Sequence, residues 1–171
     1  RCEEDAPPER VMSIPADAVY VRSRRADLAP LLAAKAERCL VMAHVPPIEP
    51  GCRPAHVLVA SASDVGQAWR ESPLASARAI AGPRLRWFVL TEGAGGARAT
   101  GEGESIEIRA KAVTPVDTTG AGDAFAAGLL HGLVCGEPMT QALALGVRFG
   151  TEATVWPASG LPCEAVRRLI Q

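Results

Sequence analysis

The sequence predicts a three-layer α/β/α domain built on a mostly parallel sheet with a hairpin at its edge. Short, continuously apolar runs alternate with stretches of helical periodicity, the pattern of strands that are buried on both faces. Later in the chain, two β-type segments separated only by a Gly-containing turn read as an antiparallel hairpin. With 171 residues and 48% hydrophobic side chains, the chain fits one domain on the usual scale of ~100–200 residues and can bury a core.

Residues 1–17 read as an irregular, proline-rich lead-in and residues 18–171 as the domain proper. Ala18–Val21 is a short strand. Asp27 to Arg38, with Leu28, Leu31, Leu32 and Ala36 in helical spacing, is a helix, and Cys39 to Ala43 an apolar strand. A proline-rich loop, His44 to Pro54, leads to a strand at His56 to Ala60. Helices are expected from Asp64 to Arg70 and from Pro73 to Ile80, then a buried strand from Arg86 to Leu90. Ala97 to Thr100 and Ser105 to Arg109 form the hairpin. Three helices close the chain: one following Asp123, one from Met139 to about Ala153 and one from Pro162 to Ile170. Pro138 and Pro162 sit where a helix-starting proline is tolerated.

Eighteen basic and nineteen acidic residues leave a net charge of -1. No basic stripe is visible, which argues against a nucleic-acid partner, and no apolar run approaches the ~20 residues that span a bilayer. Five cysteines lack a Cys-x-x-Cys pair and a histidine cluster. That pattern favours a reduced, cytoplasmic chain over a disulfide framework or a zinc site. No signal peptide is visible, and Arg1 is not Met, so a fragment or a processed piece is expected.

The stretch with most chemistry runs Val116-Asp117-Thr118-Thr119-Gly120-Ala121-Gly122-Asp123-Ala124-Phe125-Ala126-Ala127-Gly128. Phe125, Leu129 and Leu133 share one face of the helix that follows. Gly120 and Gly122 let the backbone turn sharply before it and leave amides without intrahelical partners, a natural phosphate seat. Asp123 stands at the edge of this anion site, where an ionised carboxylate can take a proton from an alcohol. An isolated Gly-x-Gly-Asp would more often be a turn with a helix cap.

The whole string resembles the signature of the ribokinase-like (PfkB) family of carbohydrate kinases. The resemblance implies a ribokinase-like fold, apparently truncated at its amino terminus, and an ATP-dependent transfer to an alcohol of a sugar or nucleoside. Asp123 would be the base, and Gly120, Ala121 and Gly122 the anion hole. Thr91-Glu92-Gly93-Ala94-Gly95-Gly96, weak by itself, is similar to the family's Thr-x-Gly-x-x-Gly loop along the ATP phosphates. Thr91, Gly93, Gly96, Thr118 and Thr119 would then contact nucleotide. The helix from Met139 resembles one wall of the adenine pocket, where Gly146 and Gly150 could admit a base or serve helix packing. Phe149 and Trp156, like Trp69 and Trp87, read as core.

Where relatives carry Asn-x-x-Glu to position Mg²⁺ and phosphate, this chain has Ser61-Ala62-Ser63-Asp64. Asp64 is therefore a candidate metal contact, weighed equally against Ser63 capping a helix whose first turn holds Asp64. Asp117, with Thr119, resembles a monovalent-cation neighbourhood, although turn-forming residues need no ion. The related vitamin-kinase branch often has Cys at the position of Asp123. His44, His56 and His131 share no ligand spacing and read as structural or surface residues. Arg22, Arg24 and Arg25 read as a solvated strand end that would meet phosphate only by projecting into a cleft.

The resemblance covers the carboxyl-terminal half of such an enzyme. The amino-terminal half of relatives supplies most sugar contacts, a Gly-Gly substrate loop and a small β-sheet lid. A missing amino-terminal half or a homodimer would complete the site. A truncated or degenerate half that binds nucleotide or a partner chain without catalysis is the alternative reading.

Overall fold

The computed structural model describes residues 13–25, 27–157 and 160–171. Of the expected lead-in, residues 1–12 lie outside these. Residues 14–17 run irregularly into the first strand, and the Ile14 carbonyl accepts a hydrogen bond from buried Lys35 Nζ at 2.7 Å.

Six strands form one sheet in the order β1-β2-β3-β4-β5-β6. They are β1 (Ala18–Val21), β2 (Leu40–His44), β3 (Val57–Ser61), β4 (Trp87–Thr91), β5 (Ala97–Gly101) and β6 (Glu104–Ile108). The first four run parallel, and β5 and β6 return as the antiparallel hairpin. The helices are α1 (Ala29–Lys35), α2 (Gln67–Glu71), α3 (Pro73–Ala81), α4 (Ala121–Val134), α5 (Met139–Ala153) and α6 (Cys163–Leu169).

Strand side chains alternate between faces, and both faces are covered. Val41, Ala43, Leu58, Ala60, Phe88 and Leu90 pack against Leu32 of α1, Ala36 just after it, and Ala77, Ile80 and Ala81 of α3. The half-buried Trp69 ring lies 5.2 Å from that of Phe88. On the opposite face, Met42, Val57, Val59, Val89, Ala97 and Ala99 meet Phe125, Ala126 and Leu129 of α4 and Met139, Ala142, Leu143 and Val147 of α5. Trp87 is half-buried on this face, so both tryptophans cover the core from its rim. The three expected layers are present.

Glycines line the contact between helices α4 and α5, where added side chains would not fit. A Cβ on Gly128 would stand 2.8 Å from Phe149 Cγ, and one on Gly132 2.7 Å from Ala142 Cα. Phe149 is buried, as expected.

Two helix starts differ from expectation. α1 begins at Ala29, not Asp27, because Asp27 turns back to accept two hydrogen bonds from Arg25, at 3.0 and 2.6 Å. Arg25 holds the Asp27 carboxyl below its usual range. α2 begins at Gln67 after Gly66, so Ser63 does not cap it. Cys39, Cys52, Cys135 and Cys163 are free thiols. No helix among the described residues is long and apolar enough to cross a membrane.

His56 Nδ1 accepts a hydrogen bond from the Val41 N–H at 3.1 Å, which requires an unprotonated ring nitrogen. Burial first, then Arg86 and Arg84, push the imidazole below its ordinary value of 6.5. The unfolded chain therefore takes a proton that the folded one resists, and stability is lost as pH falls below 6.5. Chemical denaturation across pH 7 to 5, as a rough mildly acidic window, should show this slope. His56→Gln, which keeps an acceptor without titrating, should reduce it, and what is left belongs to His44, which burial also depresses.

Candidate functional site

Because β1 to β4 are parallel, their carboxyl ends share one edge, where ligands bind in sheets of this kind. Tyr20, Met42, Val59 and Val89 face the side covered by α4 and α5. Alternation therefore brings Arg22, His44, Ser61 and Thr91 out on that side at the strand exits. The start of α4 arrives at the same place.

Gly120 caps α4 with φ 79°, in the left-handed region that favours glycine. Ala124 N–H makes the first helical bond, to the Gly120 carbonyl at 2.9 Å. Among the described residues the N–H groups of Gly120, Gly122 and Asp123 have no acceptor, whereas Ala121 N–H donates to the Thr118 carbonyl at 3.2 Å. The expected hole of Gly120, Ala121 and Gly122 is corrected by one residue: Asp123 replaces Ala121 as a free donor. Gly122 is helical and makes no sharp turn. A Cβ there would meet nothing within 4 Å, so bare backbone faces open space. Ahead of it, Asp117 Oδ1 accepts from Thr119 N–H at 2.8 Å, which holds the Asp117 carboxyl below its usual range. Thr118 and Thr119 are exposed.

Asp123 is exposed in the first turn of α4 and accepts a hydrogen bond from Arg22 Nη1. This bond is the largest cause of the raised Arg22 pKa. Arg22, expected at a solvated strand end, is half exposed there and also contacts the candidate base. The clue in the sequence is its position two residues after Tyr20, which places it on the inner face of its strand. Beside it, the Tyr20 hydroxyl is buried without a partner among the described residues and is pushed up to about 12 by burial, with Arg22 opposing and Asp123 adding to the shift. His44 is half-buried at the end of β2. Burial and then Arg22 depress its pKa, against weaker upward effects from Asp64 and Asp123. It is thus a neutral imidazole within the site, not a remote structural histidine.

After β4, Thr91 Oγ1 donates to the Ala60 carbonyl at 3.3 Å, and a 3₁₀ turn spans Gly93–Gly95. Gly93 is exposed with φ 57° and open space around it. Gly96 differs: it is buried, its N–H donates to Gly93 and its carbonyl accepts from Glu92. With φ 100°, a Cβ would lie 2.1 Å from the Ile108 carbonyl oxygen. Gly96 seats the hairpin and has no free backbone group for a nucleotide. Gly150 is likewise a packing residue, since its Cβ direction points at Phe125 Cβ at 3.2 Å and the Ala121 carbonyl at 3.3 Å. Trp156 is half-buried and donates to Glu152 Oε1 at 3.4 Å, a helix-end contact in place of a core position.

Ser61 Oγ hydrogen-bonds Ser63 Oγ at 2.8 Å, and Asp64 N–H donates to the Ser61 carbonyl at 2.9 Å. These bonds close a turn that leaves the Asp64 carboxylate exposed. Among the described residues no three His, Cys, Asp or Glu side chains group as a metal site.

The family model described as pfkB family carbohydrate kinase matches residues 43–156. The chain belongs to the PfkB family. A curated relative, the acarbose 7(IV)-phosphotransferase of an Actinoplanes species, is 41% identical over 86 residues, covering 48% of this chain and 29% of that protein. A Klebsiella pneumoniae fructokinase is 51% identical over 46 residues, or 27% of this chain and 15% of its own length. In fold, a ribokinase from Thermotoga maritima matches with TM-score 0.74 at 15% identity, over 97% of this chain and 60% of that one. An Arabidopsis thaliana ribokinase complexed with ribose and ATP gives TM-score 0.75 at 18% identity, over 91% and 56%. This PfkB chain thus spans less than a third of the curated relatives and roughly 60% of the solved structures.

Gly96→Ala should destabilise the chain by at least ~2 kcal/mol, since both the positive φ and the Ile108 carbonyl oppose a side chain. Urea denaturation measures this.

Proposed function

We propose that this PfkB chain carries the phosphoryl-transfer centre of a kinase that moves the γ-phosphoryl group of ATP to an alcohol of a sugar or nucleoside. One observation supports this above the rest: among the described residues the amides of Gly120, Gly122 and Asp123 have no acceptor, Gly122 has open space beside its backbone, and a carboxylate stands at the same helix start. The amides and the positive end of α4 would receive the terminal phosphate and stabilise charge that grows during transfer. Asp123 would take the proton of the acceptor hydroxyl as its oxygen attacks phosphorus and the bond to ADP breaks. Thr91, Gly93, Thr118 and Thr119 would border the nucleotide.

Mg²⁺ normally takes only one or two protein carboxylates and completes its shell with water and phosphate. Exposed Asp64, at the strand-exit edge and near Ser61, fits that mode. Bound there, the ion would offset phosphate charge. A monovalent cation near Asp117 and Thr119 belongs to the same reading. A second reading, nucleotide binding without turnover, is favoured by Ser61 and Asp64 standing where relatives carry Asn-x-x-Glu.

The test joins thermal stabilisation by ATP-Mg²⁺ to ADP release with a panel of sugars and nucleosides. Stabilisation with turnover supports the kinase, stabilisation alone supports the second reading, and neither removes both. Asp123→Asn should retain ATP binding while phosphoryl transfer falls on the order of 10²–10⁴-fold. Gly122→Ala should leave the fold as stable, or firmer by up to about 1 kcal/mol, because the position is helical and uncrowded. It should nevertheless weaken ATP by about tenfold or more in a calorimetric titration, since a methyl group would stand where phosphate must approach.

A further inference from the structure

We propose that Arg22 determines acceptor specificity, and that the acceptor alcohol carries an anionic group, a carboxylate or a phosphate, seated on this guanidinium beside Asp123. The inference rests on the kinase reading for the role of Asp123 and extends it to the class of acceptor.

Position carries the first part of the argument. The strand order places the Gly-rich nucleotide loop after β4 and Arg22 after β1, at opposite flanks of the parallel strands. Three strand spacings of about 4.8 Å separate them. Asp123 is hydrogen-bonded to Arg22 at the β1 flank, so a group bound by Arg22 lies beside the candidate base and away from the loop after β4.

Capacity carries the second. Among the described residues only Asp123 accepts from the Arg22 guanidinium, through Nη1. Both partners are about half exposed, at 49% and 58% of the side chain. Ion pairs this open contribute little, so the guanidinium can share itself with an incoming anion at small cost. Its remaining N–H donors form the planar fork that receives a carboxylate or phosphate edge.

Preorganisation carries the third. The chain leaving β1 is held by Arg53, which is fully buried and donates to the carbonyls of Ser23 and of Arg25, the latter at 2.7 Å. The backbone that presents Arg22 is thereby anchored to the loop between β2 and β3. Beside Arg22, the half-buried His44 at the end of β2 offers ring nitrogens to an acceptor's hydroxyls.

The experiment uses matched pairs on the 171-residue chain, followed by ligand-observed NMR titration with and without ATP-Mg²⁺. D-gluconate is set against D-glucitol, and glucose 6-phosphate against glucose. Wild-type chain should bind at least one anionic member about tenfold or more tighter than its neutral partner. The pair that discriminates tells carboxylate from phosphate. Arg22→Gln should erase the preference while ATP affinity, measured in parallel, persists, and Arg22→Lys should restore part of it. Equal affinities in the wild type, a preference that survives Arg22→Gln, or no acceptor binding at all overturns the inference. ATP binding without any charge preference leaves the kinase reading standing. A charge preference without ATP binding sinks the kinase reading instead, and with it the assignment of the anion to a phosphoryl acceptor.

Discussion

The site depends on how closely α4 can lie against α5. Gly128 and Gly132 on one helix, and Gly146 and Gly150 on the other, remove the side chains that would hold the axes apart. Phe125, Leu129, Leu143 and Phe149 then fill the space around that contact. A methyl group pushed into such a seam has few ways to relax, because interiors are packed near crystal density. The separation of the two helices fixes the height at which α4 meets the sheet. That height decides whether residues 120 to 123 stand level with the ends of the strands. The anion seat is therefore a product of core packing some distance from it.

Charge placement at the strand exits follows from the same geometry. Alternation along β1 and β2 sends Tyr20, Arg22 and His44 to the side of α4, and the helix start brings Asp123 to meet them. An acid, a guanidinium, a neutral imidazole and a buried phenol come together from three elements distant in sequence. Half-exposed pairs such as Arg22 with Asp123 add little to stability. Their value lies in presenting charge to a ligand. The fully buried Arg53 is the opposite case, since its carbonyl partners tie two loops together and its charge is disfavoured by burial.

Much of this was legible before any coordinates. The apolar runs placed all six strands within a residue or so, and the Asp-Thr-Thr-Gly-Ala-Gly-Asp string marked the anion turn. What escaped was what local pattern does not encode. Asp27 looks like a helix start until Arg25 claims it. Ser63 looks like a cap until the turn closed by Ser61 delays the helix to Gln67. Gly96 and Gly150 look like room for a nucleotide, but Gly96 is demanded by β6 and Gly150 by the packing of α4 against α5, contacts remote in sequence from each glycine or its loop. Arg22 was hidden for a similar reason. Its partner lies 101 residues away, and only the sheet brings the two together.

The two rims of the sheet are dressed differently. β6 carries Glu104 and Glu107, with Arg109 just beyond, and such charges discourage another backbone from pairing there. β1 offers Ala18, Val19, Tyr20 and Val21, with no charge among them. A strand laid beside the described sheet would meet least resistance along β1. It would then run about 4.8 Å from the chain that bears Arg22 and roof the acceptor flank, leaving the far flank untouched.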